Sequence, residues 1–158
     1  ELTIPHLGDA KWNVELGSFL NKENLRVIEW KYFRGSDFFI FSNPLKSFQM
    51  MGPTLTSEFS YLRGNFIHNF NGNISGKIPL INRLNLQLSA GVSTLLIPGE
   101  NLNHLETFIG ISRPFQLGGD LVKFGIYGCS SVNSFTGSTF ELKIGASSFN
   151  PFTKKWDY

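Results

Sequence analysis

His6, His68 and His104 are the side chains from which a search for chemistry starts. They stand far apart in the chain, and no cysteine or carboxylate sits beside them at metal-ligand spacing, so no metal ligand is assigned. His68 with one of the many serines could imitate the nucleophile–base pair of a lipid-modifying hydrolase. No Gly-x-Ser-x-Gly elbow is present, however, and no nearby Asp or Glu orients the imidazole. Glu106, Lys123, Glu141 and Lys143 invite an acid–base story, yet opposite charges on neighbouring strands pair and fill an interior more simply. Cys129 reads as a small buried residue. As the single cysteine it excludes an internal disulfide and any Cys-based zinc site. No catalytic, cofactor-binding or metal-ligating residue is therefore assigned, and no cofactor is expected.

The elements that must carry these residues show a period of two. Leu84, Leu86, Leu88, Ala90 and Val92 point one way, and Asn85, Gln87, Ser89 and Gly91 the other. The pattern returns where Leu105, Thr107, Ile109 and Ile111 oppose Glu106, Phe108, Gly110 and Ser112. It appears again where Val122, Phe124 and Ile126 oppose Lys123, Gly125 and Tyr127, and where Phe140, Leu142, Ile144 and Ala146 oppose Glu141, Lys143, Gly145 and Ser147. Turn signals at Pro98–Asn103, Leu117–Asp120 and Asn133–Ser138 separate these runs. The chain from 82 onward thus reads as a four-stranded antiparallel meander. Upstream, 10–20 and 25–34 read as a hairpin and 56–70 as one long strand. Residues 35–54 allow either a short strand or a folded loop. No helix of ten residues is expected, and 158 residues suit a single domain over 1–158.

Alternation alone is symmetric under inside-out exchange. A soluble barrel that binds a small apolar ligand buries its apolar rows, whereas a transmembrane barrel turns them to lipid. Three features favour the second. Several runs exceed the mean globular strand of about 5–6 residues and reach the roughly 9–11 that cross a bilayer. Charged residues make up only 16% of the chain, and the polar rows are rich in Gly, Ser and Asn. Aromatics such as Trp12, Phe33, Phe59, Tyr61, Phe70, Phe115 and Phe135 gather at segment ends, as interfacial girdles do. Arg83 and Arg113 fall toward strand ends, where a lipid-facing cation costs only about 0–1 kcal/mol. The expected fold is all-β, an antiparallel up-and-down transmembrane β-barrel of about eight strands or the C-terminal part of a larger barrel.

One stretch carries a resemblance. His68-Asn69-Phe70-Asn71-Gly72, followed by Lys77-Ile78-Pro79-Leu80-Ile81-Asn82-Arg83-Leu84, resembles the signature of a Bacteroidota outer-membrane β-barrel family of unknown function. Phe33-Arg34-Gly35 and Phe41-Ser42-Asn43-Pro44 resemble its C-terminal barrel region. Members often carry an N-terminal carboxypeptidase-regulatory-like domain and are longer than this chain. The resemblance therefore implies either a C-terminal piece of a larger barrel or an unusually small relative. Lys143-Ile144-Gly145-Ala146-Ser147-Ser148-Phe149 partly resembles a barrel's terminal insertion signal, although Asn150–Tyr158 follows it.

The function expected is that of a bacterial outer-membrane β-barrel, not an enzyme. Its role would be structural, accessory or transport-associated, as a subunit beside a larger outer-membrane transporter or secretion complex. Outer-membrane lipid and lipopolysaccharide are the expected partners, with other outer-membrane proteins as candidates. The net charge of +2 and the absence of a basic cluster argue against nucleic acid. The alternatives are an outer-membrane lipid-modifying hydrolase built on His68 and a soluble barrel for a small apolar ligand. A barrel of this size closing alone would be plugged by ion pairs, without a water-filled pore.

Overall fold

Rows of Leu, Ile, Val and Phe that alternate with Gly, Ser and charged residues form strands, because successive side chains leave a strand on opposite faces. The computed structural model describes residues 2–4, 8–19, 26–52, 55–70, 84–150 and 155–157. Its strands are β1 (Leu2–Ile4), β2 (Gly8–Gly17), β3 (Lys31–Phe33), β4 (Leu55–Ser57) and β5 (Tyr61–Asn69). They continue with β6 (Gln87–Ile97), β7 (Leu102–Leu117), β8 (Asp120–Asn133), β9 (Gly137–Asn150) and β10 (Lys155–Asp157). Eight of them make one sheet in the order β1-β2-β5-β6-β7-β8-β9-β10, every neighbour antiparallel. β3 and β4 form a separate two-stranded ribbon.

The four-strand meander expected after residue 82 is present as β6 to β9, except that its first strand begins at Gln87: Leu84-Asn85, read as part of that strand, form a turn with Asn85 at φ 51°. Its turns sit where the sequence places them: Pro98–Glu100 is a 3-10 turn, and Gly118 and Gly119 take φ of 58° and 101°. Two consecutive positive φ angles match the right-handed twist of the flanking strands, which only a pair like Gly-Gly adopts without strain. Among the described residues the only helical elements are short 3-10 turns, and no helix is long and apolar enough to cross a membrane.

Three upstream expectations are corrected. β2 pairs with β5, from Asp9↔Asn69 to Gly17↔Tyr61, and not with 25–34. The latter segment mixes apolar and charged residues on both faces and so offers no clean face to a sheet. Val27–Glu29 winds into a 3-10 turn, and Lys31–Phe33 joins the ribbon. The run 56–70 divides at a bend over 58–60, which gives β4 to the ribbon and β5 to the main sheet. Among the described residues the main sheet also shows two edges rather than the hydrogen-bonded closure expected of a barrel: β1 covers β2 only at 8–10, and β10 covers β9 only at 148–150.

The sheet exposes an apolar face and buries a polar one. Leu105, Ile109, Ile126, Phe140, Leu142 and Ile144 are all exposed on one face, with Leu142 64% exposed. On the other, His104, Glu106, Lys123, Ser131, Lys143 and Ser147 are buried, with Lys143 only 1% exposed. The segment 34–52, between β3 and β4, lies across this polar face, and its apolar side chains form the core there. Phe33, Phe48, Met51, Tyr61, Leu95, Ile97 and Leu102 make one cluster. Phe41, Ile67, Phe108, Tyr127 and Cys129 make the second. Residues 35–54 are thus the folded loop of the two alternatives open in the sequence. Phe33 and Tyr61, expected in an interfacial girdle, instead meet edge to face at 4.9 Å inside the first cluster.

Candidate functional site

Asn43-Pro44 gives the inward loop its shape. Pro44 fixes φ after an Asn whose side chain accepts from the Leu45 N–H at 3.0 Å, while the Asn43 carbonyl accepts from the Ser47 N–H at 2.9 Å. Gln49, 2% exposed, holds the loop's second limb. Its Oε1 accepts from the Ser42 N–H at 3.0 Å, and its Nε2 donates to the Ser42 and Ser47 carbonyls at 3.1 and 3.2 Å. A backbone that leaves the sheet and enters an interior must find partners for its N–H and C=O groups. Here one amide side chain supplies three of them.

The loop is anchored to strands on both halves of the sheet. Glu106 on β7 is 2% exposed and accepts from the Gln49 N–H at 2.7 Å and the Met50 N–H at 2.9 Å. His104 Nε2 lies 3.2 Å from the same carboxylate, and its Nδ1 lies 3.3 Å from the Asn133 amide nitrogen. The set is satisfied when Nδ1 accepts from Asn133 and Nε2–H donates to Glu106. On β9, Lys143 donates to the Asp37 carbonyl at 2.6 Å and lies 3.4 Å from Glu141. The Phe41 N–H donates to Ile144 O at 2.8 Å, and the Ile144 N–H donates to Phe39 O at 2.8 Å. The loop therefore also covers part of the free edge of β9. On β5, Arg63 Nε donates to Asn65 Oδ1 at 2.8 Å, and Asn65 Nδ2 donates to Ser93 Oγ at 2.9 Å. The Arg63 guanidinium also lies 5.2 Å from the Phe48 ring centre.

At the loop's outer end Glu15 on β2 accepts from the Tyr61 hydroxyl at 2.8 Å and pairs with Lys31 of the ribbon. The Glu15 carboxylate holds the Lys31 ammonium above its ordinary pKa, chiefly by hydrogen bonding.

Apolar anchoring is as specific. The Phe41 ring stacks on Tyr127 at 3.7 Å between centroids with an interplanar angle of 3°, and it meets Phe108 at 4.9 Å. Inner-face glycines make room for these rings. A Cβ at Gly125 or Gly145 would come within 2.8 or 2.7 Å of the Tyr127 ring, and one at Gly110 would strike it outright. Gly91 makes the same room for Phe108.

Glu106, Lys123, Glu141 and Lys143 do share the inner face as expected, but Glu106 and Lys143 do not take partners on a neighbouring strand; a pair of that kind joins Glu15 and Arg63 of β2 and β5, at 3.8 Å. Glu106 is held by loop N–H groups and His104, and Lys143 pairs with Glu141 two residues away on its own strand. Backbone donors from a distant loop outcompete a cross-strand ammonium because they arrive already positioned. Cys129 is fully buried, as expected. His68 is brought to neither site: its β-partners are Ala10 and Ala90, its ring meets Phe70 edge to face at 4.5 Å, and Ser89 and Ser93 are buried on the opposite face of the sheet. His6, Arg83 and the motif Asn71–Leu80 lie outside the described residues, and so do the side chains of the aromatic segment 152–156, which the sequence offers as an interface anchor or a partner-binding segment. Among the described residues no group of three His, Cys, Asp or Glu could hold a metal ion. The aromatic segment 38–41 reads in the sequence as a membrane-interface anchor or a partner-binding segment, but Phe41 is buried against Tyr127 and Phe108. Phe48, Gln49, Asn65, Tyr127 and Asn133 were not singled out as site residues by the sequence.

Fold and site together define a class: an all-β protein with an antiparallel sheet, an apolar outward face, and a polar face sealed by an inward loop. Residues 1–111 match the C-terminal domain of a family of unknown function, DUF5686, and the chain belongs to that family. The matched span takes in β1 to β6, the inward loop and part of β7. No curated protein and no solved structure matches the chain.

Proposed function

We propose that this chain is an outer-membrane β-barrel protein with a structural, accessory or transport-associated role, and that the inward loop is its plug. The observation that carries this reading is the inversion of the faces. Large apolar side chains from Trp12 to Ile144 stand exposed in contiguous rows while Lys143, Glu106, His104 and Arg63 are buried. Monomeric soluble proteins rarely expose apolar patches beyond a few hundred Å², whereas a transmembrane strand presents this alternation to lipid. The lengths agree: β6, β7, β8 and β9 have 11, 16, 14 and 14 residues, against roughly 9–11 for a tilted bilayer crossing. The two sheet edges are then closed within the membrane, since unpaired backbone groups do not face hydrocarbon.

Nothing in this reading calls for catalysis. The Glu106 carboxylate is taken up by loop N–H groups and shielded by the loop. The test is extraction of the protein from cells that produce it with a secretion leader. Retention in the outer-membrane fraction through an alkaline carbonate wash, with release by detergent, supports the proposal. Release by the wash alone overturns it.

A further inference from the structure

The outward rows of β2 and β5 to β9 hold one charged side chain besides Asp120 at a hairpin tip, and that residue is Arg113. It opposes Phe124 on β8 and lies 5.2 Å from the Phe115 ring centre, and no carboxylate pairs with it among the described residues. Asp120 is four β-pairs further along, about 13 Å at roughly 3.3 Å per residue. Beside Arg113 the outer face is hollowed into a depression of about 710 Å³, walled by Ile109, Ile111, Phe124, Ile126 and Ile144. Gly128, an outward position without a side chain, lines its far end. A guanidinium binds phosphate through a planar fork of donors.

We propose that this depression is a binding site for one phosphate-bearing anionic lipid, its acyl chain along the isoleucine wall and its phosphate on Arg113. The proposal rests on the outer-membrane reading, because only a surface facing lipid has such a ligand at hand. An unpaired cation at the mouth of an apolar hollow matches a molecule that carries its negative charge at the end of a hydrocarbon chain. It matches neither a neutral apolar ligand nor free phosphate.

The test is native mass spectrometry of the detergent-purified full chain, titrated with phosphatidylglycerol, with phosphatidylcholine of the same acyl chains, and with glycerol phosphate alone. The expected result is one retained phosphatidylglycerol with at least about fivefold preference over phosphatidylcholine, and no retention of glycerol phosphate. Arg113→Gln should abolish the preference and Arg113→Lys should keep most of it. Gly128→Leu should lower retention of both lipids, and the Cβ there meets Phe140 only at an ordinary 3.5 Å, so the fold accommodates it. Equal retention of the two lipids, or an unchanged preference in Arg113→Gln, overturns the site while a carbonate-resistant protein leaves the membrane reading standing. Release of the protein by carbonate overturns both.

Discussion

The Phe41 ring lies flat on Tyr127, 3.7 Å between centroids, so a loop residue and a β8 residue form one continuous aromatic stack inside the sheet. Phe41 is 2% exposed and meets Phe108 as well. Replacing it by Ala leaves a cavity where the loop crosses the sheet, with an expected loss of about 3–5 kcal/mol. Denaturant titration of the protein in detergent measures this. Retention of wild-type stability would mean that the stack does not hold the loop.

Glu106 is the polar counterpart. With Gln49 and Met50 donating to separate oxygens of its carboxylate, Glu106→Gln keeps the shape but has one acceptor oxygen, so one loop N–H faces an NH2 donor and the other loses a charged partner, at an expected cost of about 1–3 kcal/mol. Hydrogen exchange at the Gln49 and Met50 amides should accelerate while β7–β8 amides stay protected. Uniform acceleration across the sheet would show that Glu106 supports the whole fold rather than the loop.

Gly110 is the seat of the Tyr127 ring, and a Cβ there would overlap it. Gly110→Val should therefore destabilise by about 1–3 kcal/mol through overpacking. Gly128→Ala, on the outward side, should be near neutral because its Cβ has room. Thermal unfolding of the two variants side by side distinguishes a packed inner face from a lipid-facing outer one. Equal effects would contradict the difference between the faces.

The ribbon is latched by Lys31 on Glu15. Because Glu15 raises the Lys31 pKa in the folded protein, the stabilisation is complete below the unfolded value of 10.5 and is lost as pH rises through the higher folded value. The partly exposed pair contributes only about 0.2–1 kcal/mol. The stability difference between wild type and Lys31→Met should be flat from neutral pH to about 9.5 and shrink above 10.5. A difference that grows with pH would reverse the assignment.

Residues 87–150 were legible because one rule governs them: alternation between turns fixes which residues share a face. Alternation parts Leu142 from Lys143 but does not say which is inside; strand length, low charge and the Gly- and Ser-rich polar rows suggested that. What was not legible came from non-local geometry. The 25–34 segment reads as a strand by composition, yet β2 finds its partner at 61–69, a choice made by register across an intervening loop. The loop's destination was hidden because Glu106 takes its partners from backbone N–H groups, which carry no residue identity. Nothing in the sequence around Gln49 marks its three contacts with Ser42 and Ser47.

The most direct measurement is spin labelling, in a Cys129→Ala background, of single cysteines at Ile109, Phe124, Leu142 and Ile144 in lipid vesicles, read by relaxation with oxygen and with a water-soluble nickel chelate. With the outer face in lipid, all four labels collide with oxygen and are shielded from nickel. Labels at Leu142 and Ile144 that respond to nickel as freely as a label at the Gly118–Gly119 tip would contradict that placement.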